Sequence, residues 1–133
     1  YPRENFSFKK VIMALKKPIV FYYIADEDLG SKNSEFAEFF DEKKSTLISI
    51  SKIASLSKAT VIPCINHFCK SRNKYITYID EPLTSFPSNN SKADALIINK
   101  SLEKLISRDL NQYMWSLRLF QTRPDGKKFP YAR

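Results

Sequence analysis

The sequence predicts an α/β fold, a small mixed sheet flanked by helices. Three observations predict it. Amphipathic stretches with a period near 3.6 alternate with short apolar runs rich in β-branched and aromatic residues. The runs are too short for helices and are bounded by proline or acidic turns. The composition, 43% hydrophobic and 14% aromatic over 133 residues, suits a packed core.

Residues 3–17 open the pattern. Phe8, Val11, Ile12 and Leu15 recur on one helical face, with Lys9, Lys10, Lys16 and Lys17 off it. Pro18 ends the helix. Residues 19–24, Ile-Val-Phe-Tyr-Tyr-Ile, read as a strand buried on both faces. An acidic loop, Asp26-Glu27-Asp28, follows at the strand's C-terminal end, where open α/β sheets place their ligands. Residues 34–40 end in Phe39 and Phe40, read as exposed. A second helix is expected over residues 45–56, with Leu47, Ile50, Ile53 and Ala54 inward. Residues 59–65 read as a second strand interrupted by Pro63, and residues 74–79 alternate as a third. After a loop with Pro82 and Pro87, Ser91-Lys92-Ala93-Asp94 opens the last long helix with a capping-box-like start. Its stripe is Ala95, Ile98, Leu102, Leu105 and Ile106. A helical turn near residues 111–117 leads into a basic tail. No internal repeat and no second domain is visible. About three strands make too small a sheet to stand alone, which implies a further N-terminal part.

The formal charge is +8, from 22 Lys+Arg against 14 Asp+Glu, so an anionic partner is expected. Two glycines exclude a glycine-rich phosphate loop. No run of about 18 apolar residues marks a membrane span. Cys64 and Cys69 give no secreted-type disulfide framework, which fits a reducing cytoplasm. With His67 between them they suggest either a zinc site or a buried strand cysteine with the histidine in the adjoining turn. Their crowding matches no standard zinc spacing and favours the second. A Cys–His nucleophile pair is weaker still, since such partners normally lie far apart in sequence. Asp26 and Asp28 share a face if the strand continues, so two carboxylates can converge there. A solvated acidic turn is the plain alternative. Residues 112–124 interleave aromatics with arginines. They could stack on an anionic ligand or dock as a helix with the arginines snorkelling outward, and the second is favoured.

These residues carry a family likeness. Gln112-Tyr113-Met114-Trp115 and Arg118-Leu119-Phe120-Gln121-Thr122-Arg123-Pro124-Asp125-Gly126 closely resemble the C-terminal signature of bacterial lipid A late acyltransferases. Asn111 replaces the family's usual acidic residue and Gln121 its usual lysine. Residues 22–30 resemble the family's Tyr-Tyr-x-Pro-Asp-x-Asp-x-Gly, with Ala25 where proline is common. Ser34-Glu35-Phe36 through Phe39-Phe40, then Lys44-Ser45-Thr46-Leu47, look like two further family blocks. Val61-Ile62-Pro63 resembles the apolar-proline block of the wider glycerolipid acyltransferases. The likeness runs the length of the chain and is nearest to the lauroyl- and myristoyl-transferring branches.

The resemblance implies the C-terminal portion of a glycerolipid-acyltransferase-like fold, with residues 1–133 as the C-terminal part of a single acyltransferase domain. It implies transfer of a fatty acyl chain from acyl carrier protein to a hydroxyacyl chain of a phosphorylated lipid A precursor, at the cytoplasmic face of the bacterial inner membrane. No cofactor, metal or nucleic acid is implied. The family's His-x4-Asp/Glu motif has no match here. His67 is the one histidine, Arg72 stands five positions on, and the pair falls after the acidic loop instead of before it. No catalytic residue is therefore assigned. The motif and a membrane anchor are expected in an N-terminal part. Asp26 and Asp28 are expected to organise the site, holding basic groups or the catalytic loop. Arg3, Arg118 and Arg123 are expected to meet phosphate, or the last two to lock the C-terminus. The alternative is a non-enzymatic basic domain that binds anionic lipid or nucleic acid.

Overall fold

The computed structural model describes residues 7–124. Its elements run α1 (Phe8–Ala14), β1 (Ser34–Phe39), β2 (Glu42–Leu47), α2 (Ser49–Ser57), β3 (Cys64–Cys69), β4 (Lys74–Ile79) and α3 (Ser91–Ile106). Both α and β structure are present, as the sequence predicts. The sheet differs. Among the described residues the four strands form two separate antiparallel pairs, β1 with β2 and β3 with β4.

The β1–β2 hairpin and α3 make the packed centre. Phe39 and Glu42 close the hairpin's ladder, leaving Phe40 and Asp41 as the connection. Both have positive φ, 46° and 62°, as a two-residue hairpin turn of the primed type requires. A phenylalanine tolerates that conformation poorly, and tertiary contacts hold it. The Phe40 amide donates to Glu103 Oε1 at 2.9 Å, and its ring packs on Phe39 and Trp115. Phe39 is fully buried, clustered with Ile106 and Leu119. The reading of Phe39 as exposed is therefore corrected. It lies on the strand face that α3 covers, and the period of two was hidden by the adjacent Phe40.

α3 crosses this hairpin through its predicted stripe, and Ala95, Ile98, Leu105 and Ile106 are buried. Asn90, not Ser91, caps it. The Asn90 side chain accepts from the amides of Lys92 and Ala93, supplying partners to first-turn donors that lack helical ones. Asn99 is the polar peg of the interface. It accepts from Thr46 Oγ1 at 2.9 Å and donates to the Ala37 and Glu38 carbonyls at 3.3 and 2.9 Å.

Other expectations shift. α2 begins at Ser49, because residues 42–47 are taken by β2. β3 starts after Pro63, so proline bounds this strand instead of interrupting it. His67 consequently sits inside β3, opposite Ile76, buried with its ring against Tyr78 at 5.4 Å. It is not in a turn. A 3₁₀ turn over Leu110–Gln112 replaces the helical turn expected at residues 111–117.

The largest correction concerns residues 19–24, which form no strand. In them Phe21 and Tyr23 are partly buried while Val20, Tyr22 and Ile24 are exposed, Val20 being 97% exposed. Strand status requires a ladder partner, and none of β1 to β4 pairs with this run. Burial pushes the Tyr23 hydroxyl's pKa up. A hydrogen bond with Ser49 opposes that, and the Glu27 charge adds to it.

Candidate functional site

The acidic loop is built by hydrogen bonds around Gly30. Asp28 Oδ1 accepts from the Gly30 amide at 3.0 Å, a local turn that asparagine and aspartate favour. Gly30 has φ of +96°, a conformation that a side chain would strain. Its carbonyl accepts from the hydroxyls of Ser34 and Ser45 at 3.0 and 2.7 Å, which fastens the loop to both strands of the first hairpin.

The C-terminal segment then grips the loop from the other side. The Tyr113 hydroxyl donates to Asp26 Oδ2 at 2.8 Å. The Thr122 amide and hydroxyl donate to the two Asp28 oxygens at 2.6 and 2.7 Å. Such bonds to carboxylates are stronger than neutral ones. Arg123 donates to Glu42 Oε2 at 2.9 Å, tying the same segment to β2. Gln112 accepts from the Phe68 amide and donates to its carbonyl, adding a tie to β3. One short stretch of chain thus joins both hairpins and the acidic loop.

Asp26 and Asp28 are brought together with Arg123's segment. Their partners named above are hydroxyls and amides. Arg118 is exposed, and Arg3 lies outside the described residues, as do Asp125 and Gly126 of the C-terminal signature. Sequence reading assigned no role to Tyr113, Thr122 or Gln112. The signal for them lay in the spacing of the signature itself, since residues nine apart in chain meet aspartates two apart.

Beside this loop runs an apolar groove of about 840 Å3. Val20, Ile53, Ile62, Leu105 and Leu117 line it, and Asp26, Glu27 and Tyr113 stand in the same wall. Among the described residues no three His, Cys, Asp or Glu side chains gather as metal ligands. No helix among them is long and apolar enough to cross a membrane.

Comparison with known proteins decides the family. The model of a family described as bacterial lipid A biosynthesis acyltransferase matches residues 1–122. The chain belongs to this family. It is similar to a lipid A biosynthesis acyltransferase of Haemophilus influenzae, 33% identical over 127 residues, which cover 96% of this chain and 39% of the relative. It is 34% identical over 121 residues to the lipid A biosynthesis lauroyltransferase of Escherichia coli K12, covering 90% of this chain and 40% of that protein. The E. coli lipid A biosynthesis myristoyltransferase is 27% identical over 130 residues, 98% and 40% of the two chains. The chain spans about two fifths of the length of these acyltransferases.

Proposed function

We propose that this chain is the C-terminal part of an acyltransferase of lipid A biosynthesis. The acyl donor is acyl carrier protein, and the acceptor is a hydroxyacyl chain on a phosphorylated lipid A precursor at the cytoplasmic face of the inner membrane. The observation that carries the reading is the placement of a rigidly held aspartate pair beside an apolar groove. An apolar groove suits a fatty acyl chain, and a fixed polar wall suits the ester-forming end.

In this reading the reacting groups come from an N-terminal part. A His-x4-Asp/Glu motif there supplies the general base, which takes the proton of the acceptor hydroxyl as its oxygen attacks the thioester carbonyl. The ester forms, the thioester C–S bond breaks, and the proton ends on the leaving thiol. Asp26 and Asp28 position this reaction without entering it, through Tyr113, Thr122 and Gly30. The excess positive charge favours approach of both anionic partners, the phosphorylated acceptor and the acidic carrier protein.

The test is Asp28→Ala in the full-length enzyme, with lipid A acylation read by mass spectrometry. Losing the loop's anchor misplaces the site, and misplacement by about 1 Å can cost about a hundredfold in rate. A fall of that order is expected. Wild-type acylation by Asp28→Ala would remove the aspartates from the reading.

A further inference from the structure

The β3–β4 hairpin has one face turned in and one turned out. Directly opposite residues of an antiparallel pair share a face, and so do alternate residues along a strand. Ile65, His67 and Cys69 therefore lie with Tyr78, Ile76 and Lys74 on one face. Cys64, Asn66 and Phe68 lie with Ile79, Thr77 and Tyr75 on the other. The first face is the inward one. His67 is buried, Ile65 packs against the Phe39 cluster, and Arg108 stacks on the Tyr78 ring at 5.2 Å.

The second face is open. Tyr75 is 76% exposed and Ile79 71%. The Phe68 and Tyr75 rings meet edge-on with centroids 5.3 Å apart, and Asn66 accepts from Thr77 Oγ1 at 2.6 Å. These contacts run across the ladder, within the face itself.

The end of the hairpin is basic. A 3₁₀ turn over Lys70–Arg72 joins the strands through Asn73 at φ 49°, a conformation that asparagine tolerates. Lys70, Arg72 and Lys74 stand exposed there, and residues 64–79 contain no Asp or Glu. Among the described residues no carboxylate lies within 4.0 Å of these three cations. Asp80, the next acid along the chain, is held by Lys104 at 2.6 Å.

We propose that this outward face, with its basic end, docks on an anionic lipid surface. Tyrosine suits such an interface because its ring is apolar and its hydroxyl is wet. The three cations suit the headgroup level, where each basic residue contributes about fivefold in binding. An acidic carrier protein would answer the cations but leave wet the Phe68–Tyr75–Ile79 strip, which runs the length of the ladder. A bilayer surface answers both, with negative headgroups over acyl chains. The proposal deepens the function proposed above by naming the surface that meets the membrane, and it rests on that reading for one consequence. Cys64 and Asn66 of the outward face also line the apolar groove, so a docked hairpin sets the groove beside its lipid substrate.

The experiment uses the full-length enzyme in vesicles of phosphatidylethanolamine and phosphatidylglycerol, with acyl carrier protein added. A photoreactive benzoylphenylalanine replaces Tyr75, and mass spectrometry identifies what it captures. Phospholipid adducts are expected, in yield well above that of the same probe at Lys100 on α3. Reversing two cations, Lys70→Glu with Arg72→Glu, should cut the adduct by about tenfold or more. Both positions are exposed turn residues, so the fold is kept. Vesicles without phosphatidylglycerol should lose the adduct similarly. Capture of the chain's own peptides would show the face covered by further polypeptide, and capture of the carrier protein would show a protein-docking site. Either would overturn the proposal. So would no adduct, or lipid adducts indifferent to charge reversal and to headgroup charge. Charge-dependent lipid adducts from an enzyme that transfers no acyl chain would uphold the docking and count against the function.

Discussion

Two regions of this chain have opposite fates, and the more apolar of them is the one that forms no strand. In the β1–β2 hairpin with α3, every strand residue has a ladder partner and the apolar face is covered. In residues 19–24 the β-forming residues join no ladder and leave large side chains exposed. Hydrophobicity alone does not bury a strand. A strand also needs a neighbour for its amides and carbonyls. The first region finds that neighbour two residues away through a tight turn. The second has none among the described residues.

The comparison is broken most directly at Phe39. Phe39→Ala removes the centre of the Phe39–Ile106–Leu119 cluster and should cost about 3–5 kcal/mol, read as a lowered urea midpoint. A loss below 1 kcal/mol would mean that the hairpin and α3 are not the stability core.

A smaller effect sharpens the same region by pH. Burial holds the Lys44 pKa below the ordinary lysine value. The unfolded chain therefore binds the proton more tightly than the folded one, and stability rises with pH between the folded and the ordinary values. Below the folded value the cost is constant. Stability measured as pH rises toward the ordinary lysine value of 10.5 should show this rising component in wild type and lose it in Lys44→Met. An identical slope in both would show that the ammonium is not desolvated.

The smallest effect is expected in the other region. Val20 is 97% exposed, so Val20→Thr should change stability by no more than about 0.5 kcal/mol. A loss near that of Phe39→Ala, seen in the full-length enzyme, would show this run buried there by further polypeptide.

How much was legible in the sequence follows the range of the interactions. α3 was legible because its stripe and its breaker-flanked start are local, although the cap fell on Asn90, one residue earlier. β4 was legible by alternation. β1 and β2 were not read as a hairpin, because the turn uses Phe40 and Asp41, and Phe40 is not a residue that signals positive φ. The aspartates were singled out by their spacing and their likeness to a family block. Their partners Tyr113 and Thr122 lie 87 and 94 residues away, beyond any local pattern.

By itself, then, the sequence determined the α/β character, the long helix, the acidic loop and the family, since these rest on periodicity, turn chemistry and short ordered motifs. Only the tertiary structure decided which apolar runs became strands, that His67 is a strand residue, and that Lys44 is buried. Each of those depends on which distant backbone or side chain comes to lie alongside, and pairing between distant segments is fixed by packing, which no local window contains.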